Sequence, residues 1–375
     1  MIIDASIGNN MTPDVFFEHH IRQHAVQYFP DLKAQEMNVR LVNGQRFRHS
    51  QFYRFEVSGN GKSFRALVKT PPLHSISKDR PKLGPMIEPA AKFEAQYRAM
   101  SKIHEYFTGL ADPRFGAVRP LDLVTEHRAI IMEEVLAPSL RHLVEQTSRL
   151  KNPLRANRTH NLALAFRNAG AWLSKFHSMP TVQPVKITHN GQRVDFITTI
   201  NKLVDFLIKA DPKNIFLQQI AAKTVQDAMQ ILPEELPLGL RHGDYGLSNI
   251  LAGLDGKITV LDTPAICHSP IYEDLAYLLV GLKSKWSQVL SLELAYDSRQ
   301  LALYEQEFLS AYFGQSPIPY RIIRLYEVQA LLVRWSSKIF VLKEKSAGKN
   351  EFSKEFQLWQ MRRFFKTMLR DLSSS

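Results

Sequence analysis

The sequence predicts an α+β protein of two unequal parts, and three observations lead to this prediction. Apolar and polar residues alternate over much of the stretch from Met37 to Thr70, which is the period of β-strands. From Ser139 onward, apolar residues recur at helical spacing. A length of 375 residues is enough for two domains or lobes that each bury a core.

The first part begins with a predicted helix within residues 11–37, whose apolar face ends at Pro30. Three antiparallel strands are predicted next, in NVRLV, QFYRFEV and SFRALVKT. Turn signals stand at Asn43-Gly44 and at Asn60-Gly61. A further helix is predicted in FEAQYRAMSKIHEYF, and a strand pair follows it on either side of His127.

The second part is predicted to be mainly helical. The segment LALAFRNAGAWLSKFHSM is strongly amphipathic, and we expect it to be the central core helix. His177, near its end, is predicted to be a satisfied core residue rather than a ligand. A basic cluster precedes this helix and is predicted to be solvated, with anion binding as the alternative; it comprises Arg149, Lys151, Arg155 and Arg158.

Composition excludes several classes of protein. Hydrophobic residues make up 45% and charged residues 22% of the chain, as in ordinary globular proteins. Cys267 is the only cysteine, so no internal disulfide can form and we expect a reducing, cytoplasmic location. The N-terminal sequence lacks a signal-peptide pattern, and no run reaches the roughly 18 apolar residues of a membrane span.

The chain is basic, with 48 Lys and Arg against 36 Asp and Glu and a net charge of +12. Such charge could attract nucleotide phosphates, an anionic substrate, a membrane surface or nucleic acid. A solvated basic surface is the alternative. Because the sequence contains no RNA-binding, zinc-finger, heptad or repeat pattern, we expect no specific nucleic-acid partner.

The stretch from Leu238 to Asp274 contains the residues with the clearest chemistry. A short apolar segment leads into the polar loop HGDYGLSN, and a β-branched strand then ends at Asp262. We therefore expect Asp244, Asn249 and Asp262 at one rim. Asn249 and Asp262 can supply the oxygen ligands that Mg²⁺ prefers, and Asp244 can accept a proton from an attacking hydroxyl. The trio predicts a phosphoryl-transfer site.

HGDYGLSN, VLD and PIYEDLAYLL, in this order, resemble the motifs of the aminoglycoside phosphotransferase and choline kinase superfamily. The resemblance implies a two-lobed, protein-kinase-like fold. The small N-lobe, with a nucleotide-binding antiparallel sheet and one helix, would span residues 1–134. A larger, mainly helical C-lobe with the catalytic loop and the acceptor site would span residues 135–375. The implied function is ATP- and Mg²⁺-dependent transfer of the γ-phosphoryl group to a hydroxyl of a small molecule or sugar.

The resemblance also implies roles for single residues of this loop and its surroundings. Asp244 would be the catalytic base, and Asn249 and Asp262 would be the metal ligands. His242 and Asp274 would brace the loop through hydrogen bonds to its backbone rather than contact substrate.

A nucleotide site is implied in the N-lobe. Lys69, at the end of ALVK, would reach the α and β phosphates; a lysine at the edge of an ordinary sheet is the alternative. Glu94 would pair with Lys69, with Glu88 as a competing candidate and an ordinary exposed helix glutamate as the third reading. In AIIMEEVL, the Glu133 carbonyl and the Val135 N–H would pair with adenine.

Two stretches depart from the kinase pattern. The turn RFRHSQ between the first two strands is not rich in glycine, so Ser50, Arg48 or His49 would contact phosphates instead. Thr263 and Pro264 follow the metal-binding aspartate, where kinases place an aromatic residue and often a glycine; the proline removes a backbone donor.

These departures favour a second hypothesis, a pseudokinase that binds nucleotide or a protein partner without catalysis. The intact trio of Asp244, Asn249 and Asp262 argues for an enzyme. A protein kinase ranks third, because no APE-type segment follows Asp262 before the DLA helix.

Overall fold

The computed structural model describes residues 12–33, 37–46, 50–71, 89–148, 159–180, 186–187, 191–210, 215–262, 267–285, 291, 294–344 and 351–374. Several residues considered above lie outside these ranges: Arg48, His49, Glu88, Thr263, Pro264 and the basic cluster at 149–158. The chain forms two compact units, the first of residues 1–111 and 117–136, the second of residues 112–116 and 137–375. We retain the N-lobe boundary after residue 134 as a proposal.

The first unit is built around one antiparallel sheet. Its elements, with the short strand β4 that belongs to a sheet of the second unit, are α1 (Pro13–Tyr28), β1 (Asn38–Arg46), β2 (Gln51–Gly59), β3 (Lys62–Thr70), α2 (Pro89–Gly109), β4 (Phe115–Ala117), β5 (Pro120–Val124) and β6 (Ala129–Glu133). The strand order is β1-β2-β3-β6-β5, and every neighbouring pair is antiparallel. The buried face of α1, with Phe17 and Ile21, packs in one core with Phe55 and Val68 of the sheet.

The two predicted hairpin turns have different outcomes. Asn60 and Gly61 have φ angles of 53° and 72° and connect the paired residues Gly59 and Lys62, so this two-residue turn is confirmed. The prediction of a turn at Asn43-Gly44 is wrong, because both residues lie within β1 and pair with β2. A bulge between Leu41 and Asn43 lets the strand continue past them.

The second unit is mainly helical. Its elements after β4 are α3 (Leu140–Gln146), α4 (Thr159–His177), β7 (Lys186–Ile187), α5 (Arg193–Ala210), α6 (Ile215–Ile231), β8 (Leu238–Arg241), β9 (Ile250–Ala252), β10 (Ile258–Val260), β11 (Cys267–Pro270), α7 (Tyr272–Lys283), α8 (Ser298–Phe313), α9 (Tyr320–Glu344) and α10 (Glu351–Ser374). Two three-stranded sheets, β4-β10-β9 and β7-β11-β8, hold the polar loop between β8 and β9. Within the ranges described, no helix is both long and apolar enough to cross a membrane.

Helix α4 is the core helix of this unit, as the sequence predicts. Phe166, Trp172 and Phe176 are fully buried on it, and the Trp172 indole donates to the Gly116 carbonyl at 3.1 Å. Gly170 allows α4 to approach α8 very closely, because a Cβ atom at this position would lie 2.0 Å from the Phe308 carbonyl oxygen. The contact between these two helices therefore requires glycine.

We predict that Gly170→Ala destabilises the protein. In a helix, alanine is ordinarily better than glycine by about 1 kcal/mol. Here the added methyl group meets backbone rather than a flexible side chain, so we expect a loss of about 2 kcal/mol or more in the free energy of unfolding. Urea denaturation measures this difference.

The matched control is Gly109→Ala, at the end of α2, where a Cβ would meet no described atom within 4 Å. We expect this variant to be as stable as the parent or more stable by up to about 1 kcal/mol. If Gly170→Ala were as stable as Gly109→Ala, the close approach of α4 and α8 would be incorrect.

Candidate active site

The loop of residues 242–249 joins β8 to β9 and carries two of the predicted site residues. It is folded by its own backbone: the Gly246 N–H donates to the Asp244 carbonyl at 2.7 Å, and the Asn249 N–H donates to the Gly246 carbonyl at 2.9 Å. Gly243 has a φ of 79°, in the left-handed region that favours glycine. We call these residues the catalytic loop.

A buried carboxylate fixes the start of the catalytic loop. Asp274, near the start of α7, accepts hydrogen bonds from the backbone N–H groups of His242 at 2.7 Å and Gly243 at 2.9 Å. His177 lies on its other side, with Nε2 at 3.3 Å from Asp274 and Nδ1 at 2.7 Å from the Tyr312 hydroxyl. The expectations that Asp274 braces the loop and that His177 is a satisfied core residue are confirmed.

The charge of Asp274 is stabilised by its neighbours. Burial alone would raise the pKa of this carboxyl, but the His177 hydrogen bond and the nearby His177, His242 and Arg241 lower the pKa to about 2. The carboxylate is therefore ionised at neutral pH and loses its charge only as the pH falls toward about 2. Its full charge strengthens the hydrogen bonds from the loop N–H groups.

His242 connects the catalytic loop to the strand that precedes Asp262. Burial lowers the pKa of its imidazole, although the neighbouring carboxylates oppose this effect, so the ring is neutral at pH 7. Nε2 donates to the Leu261 carbonyl at 3.1 Å, which leaves Nδ1 to accept from the Asp244 N–H at 3.3 Å. These contacts confirm the bracing role expected for His242 and assign its Nε2–H tautomer.

Asp244 and Asn249 are in direct contact. The Asn249 amide nitrogen donates to the Asp244 carboxylate at 2.9 Å and to the Asp244 carbonyl at 3.0 Å. Because both amide hydrogens are used in this way, the Asn249 side-chain oxygen is free to act as a ligand to a cation. The contact also fixes one carboxylate oxygen of Asp244.

Asp262 is brought to the same place by the β9–β10 hairpin. The Leu261 N–H donates to the Asn249 carbonyl at 2.8 Å, so Asp262 follows directly after the residue bonded to Asn249. Asp262 has a φ of 61°, an uncommon conformation for a residue other than glycine, and its side chain is exposed. Strained backbone of this kind concentrates at functional sites. The structure thus brings Asp244, Asn249 and Asp262 together at one rim.

Two residues beside Asp244 were missed by the sequence analysis. A Cβ atom at Gly246 would lie 3.2 Å from Cε1 of Tyr277, on α7, so this ring packs on the catalytic loop. The pKa of Tyr277 is raised to about 12. Burial is the main cause, the nearby Asp244 raises the pKa as well, and Arg334 of α9 opposes both effects. No sequence signal places Arg334 here, because it lies 90 residues beyond Asp244 in an ordinary amphipathic helix.

The first unit contains the residues that the resemblance assigns to phosphate binding. Lys69 is buried near the end of β3, and its ammonium lies 5.9 Å from the centre of the Phe52 ring. Glu94 lies on α2, with its carboxylate 3.8 Å from Arg98 one turn later. The pairing of Glu94 with Lys69 stays a prediction. Ser50 is half-buried and directly precedes β2.

The segment after β6 is the one to which the resemblance assigns adenine binding, and this role stays a prediction. The Glu133 side chain accepts from Arg119 at 2.8 Å, and the Glu134 N–H donates to the Arg65 carbonyl at 2.9 Å. Within the described part of the chain, the N–H of Val135 donates no hydrogen bond. Val135 therefore has a backbone donor that a ligand could use.

The oxygen atoms at the rim fit a magnesium ion better than a transition metal. Among the residues that the structure describes, no three His, Cys, Asp or Glu side chains gather into a metal-binding group. A metal here would take one carboxylate from Asp262 and one amide oxygen from Asn249, and its other ligands from phosphate and water. Mg²⁺ is commonly bound in this way.

We predict that Asp274→Asn destabilises the protein, because an asparagine offers one acceptor oxygen where the two loop N–H groups now find two. The loss should be roughly 2–4 kcal/mol in the free energy of unfolding at pH 7, measured by urea denaturation. The exposed Asp205→Asn on α5 is the control.

The effect of Asp274→Asn should also depend on pH. The folded pKa lies below the ordinary value of 3.8, so this contribution to stability is complete above about pH 4 and is lost as the pH falls toward about 2. The stability difference between parent and variant should narrow over that range. A difference that is constant from pH 5 to pH 2 would contradict the charge assigned to Asp274.

The sequence matches the family model of APH, the phosphotransferase enzyme family, over residues 73–313, which is more than half of the chain. No curated protein matches the sequence significantly.

Solved structures resemble the chain over nearly its whole length. Choline kinase LicA from Streptococcus pneumoniae has 12% identity and a TM-score of 0.50, covering 96% of this chain and 100% of its own. Plasmodium vivax ethanolamine kinase has 12% identity and a TM-score of 0.52, with coverages of 97% and 92%. Aminoglycoside phosphotransferase APH(4)-Ia has 14% identity and a TM-score of 0.52, with coverages of 95% and 99%.

At such low identities these likenesses show the fold alone, and they confirm the kinase-like α+β fold that the sequence resemblance implied. The family is shown by the sequence match itself. With that match extending across the catalytic loop and the strand before Asp262, the chain belongs to the APH phosphotransferase enzyme family.

Proposed function

We propose that this protein is an ATP- and Mg²⁺-dependent phosphotransferase that moves the γ-phosphoryl group to a hydroxyl of a small molecule or sugar. Membership of the phosphotransferase family supports the reaction class. The observation that carries the proposal is the contact of Asn249 with Asp244, together with the backbone bond that places Asp262 next to Asn249. The proposed base and the two proposed metal ligands therefore lie close together, as phosphoryl transfer would require.

The residues fit a bound magnesium ion. Asn249 and Asp262 would hold it, and when bound it would neutralise charge on the β and γ phosphates. The Asn249 side-chain oxygen is available because its amide nitrogen is already used by Asp244. The left-handed backbone of Asp262 presents its exposed carboxylate at the end of the strand.

Asp244 would act on the acceptor. As the acceptor oxygen attacks the γ-phosphorus, the bond from phosphorus to the β–γ bridging oxygen breaks, and Asp244 takes the hydroxyl proton. The products are a phosphate ester and ADP. Asn249 fixes the Asp244 side chain, so the carboxylate does not have to be oriented during the reaction. Most of the rate enhancement would come from positioning and charge neutralisation.

The nucleotide would be bound through residues of the first unit. We assign the α and β phosphates to Lys69, supported by Glu94 and by Ser50, and the adenine edge to the Glu133 carbonyl and the Val135 N–H. The unused N–H of Val135 within the described chain supports the last assignment. A ternary complex of an APH(4)-Ia mutant with ADP and hygromycin B, which has 13% identity and a TM-score of 0.50 to this chain, supports nucleotide use.

We extend the proposal to a cytoplasmic protein without a specific nucleic-acid partner, on the basis of the single cysteine and the absence of nucleic-acid-binding motifs from the sequence. The second candidate is a pseudokinase that binds nucleotide without catalysis. It is favoured by residues 46–51, RFRHSQ, which lack the glycines of a kinase phosphate-binding loop.

Asp244→Asn tests the catalytic proposal. The asparagine keeps the shape of the side chain but cannot take a proton, so we expect turnover to fall about 10²–10⁴-fold. Binding of Mg·ATP should stay within a few-fold of the parent, because Asp244 is not a proposed nucleotide ligand. ADP release with mixed sugars and amino alcohols measures turnover, and calorimetry measures binding.

Asp255→Asn is the matched control, since Asp255 is an exposed carboxylate in the β9–β10 turn. It should turn over like the parent. Equal rates for Asp244→Asn and the parent would exclude Asp244 as the base. A parent chain that binds Mg·ATP but phosphorylates no alcohol would favour the pseudokinase.

A further inference from the structure

Three basic side chains lie around the catalytic loop and have no part in the mechanism above. Arg141, in the first turn of α3, donates its backbone N–H to the Leu247 carbonyl at 2.8 Å. Lys285 follows α7, and its ammonium donates to the Arg141 carbonyl at 2.9 Å. Arg334 on α9 is close enough to Arg141 for their like charges to interact. We call these three residues the cation cluster.

The Tyr277 ring lies between Arg334 of the cation cluster and Asp244, the proposed base. The Arg334 guanidinium lies 5.9 Å from the centre of the Tyr277 ring, and the Tyr277 hydroxyl interacts with both Arg334 and Asp244. A Cβ at Gly246 would lie 3.2 Å from Tyr277 and 3.8 Å from Oδ1 of Asp244. A group bound at Arg334 would therefore lie one side chain away from the catalytic carboxylate.

Two other cations nearby are paired with carboxylates, but Arg334 is not. The exposed Arg141 lies 2.9 Å from Glu145. Lys283, at the end of α7, lies 2.7 Å from Glu305 and 2.7 Å from Glu327. Among the residues that the structure describes, no carboxylate forms an ion pair with Arg334, whose guanidinium instead donates to the Ser284 hydroxyl at 3.0 Å.

The energetic balance at Arg334 favours an anionic ligand. Burial lowers the pKa of Arg334 and the charge of Arg141 acts in the same direction, although Tyr277 and Asp244 oppose this lowering. Keeping a half-buried guanidinium charged without a carboxylate in direct contact is costly, and an anion bound there would recover part of that cost. Lys285 is buried, with 8% of its surface exposed, so its charge is little screened by solvent.

We propose that the cation cluster binds an anionic group of the acceptor, so that the substrate is an alcohol that carries a carboxylate or a phosphate. This inference rests on the proposed function, because the acceptor hydroxyl would face Asp244. A guanidinium is suited to the two oxygens of such a group. A quaternary ammonium, as in choline, would be repelled at the same position. The substrate class would thus differ from those named for the choline and ethanolamine kinases of the same fold.

Thermal unfolding tests this inference with inorganic phosphate as the probe. The main samples contain saturating Mg²⁺ and AMP-PNP, an ATP analogue that is not hydrolysed, so that all three phosphate positions of the nucleotide are occupied. Parallel samples without AMP-PNP give the shift caused by the nucleotide and show whether the anion binds in its place. We expect 10 mM sodium phosphate to raise the melting temperature of the parent by about 1–2 °C. Sodium acetate is the second arm, and the larger of the two shifts identifies the anionic group as phosphate or carboxylate.

The variants Arg334→Gln and Lys285→Gln should each lose most of the anion shift while they keep the nucleotide shift. If Arg334→Gln does not fold, Lys285→Gln alone tests the proposal. Arg299→Gln is the control, since it removes one exposed positive charge at the start of α8. It should respond to phosphate like the parent, which separates a bound anion from a general salt effect.

The outcomes separate the two proposals. Three outcomes would overturn the anionic acceptor alone. The first is a melting-temperature shift with nucleotide but none with the anions. The second is an anion shift that Arg334→Gln and Lys285→Gln retain, and the third is a larger shift with choline chloride than with either anion. An anion shift seen only without AMP-PNP would place the anion at the nucleotide and would overturn it as well. Absence of any nucleotide shift in the parent would contradict the proposed function, and with it the acceptor role of the cation cluster.

Discussion

The candidate site depends on one buried carboxylate. Asp274 is held ionised inside the second unit, and it accepts hydrogen bonds from the first two N–H groups of the catalytic loop. An unsatisfied buried N–H is costly, so these bonds determine where the loop begins. The rest follows along the chain: His242 reaches the Leu261 carbonyl, Leu261 bonds to Asn249, and Asn249 holds Asp244.

This chain of contacts explains how a short loop can hold Asp244 in one orientation. Every polar group that positions Asp244 is itself fixed by backbone or by buried side chains, and Tyr245 anchors the loop to α4 through the Ala169 carbonyl at 2.7 Å. Such support is what allows a site to act by positioning rather than by covalent chemistry. Asp262 is the one exposed member of the trio, and its backbone is in the left-handed region.

The order of motifs was sufficient to predict the family, the fold class and the meeting of Asp244, Asn249 and Asp262. These residues lie within 19 positions of one another, so local strand and loop geometry brings them together. The roles of Tyr277 and Arg334 could not be predicted, because they depend on how α7 and α9 pack against the loop.

Local signals also failed at Asn43-Gly44, which has the composition of a turn yet lies within β1. Pairing with the whole length of β2, made possible by the bulge after Leu41, outweighs the turn preference of two residues. At Asn60-Gly61 no such pairing competes, and the same dipeptide forms the turn.

The central claim is that Asp262 helps to bind Mg·nucleotide, and the melting temperature with and without Mg·ATP tests it most directly. Asp262→Asn is the informative variant, because asparagine tolerates the left-handed backbone that alanine would strain. Ligand at a hundredfold excess over Kd adds about 2.7 kcal/mol of stability, a shift of a few degrees. The account predicts a magnesium-dependent shift in the parent that Asp262→Asn largely loses. No magnesium-dependent shift in the parent, or an equal shift in the variant, would contradict it.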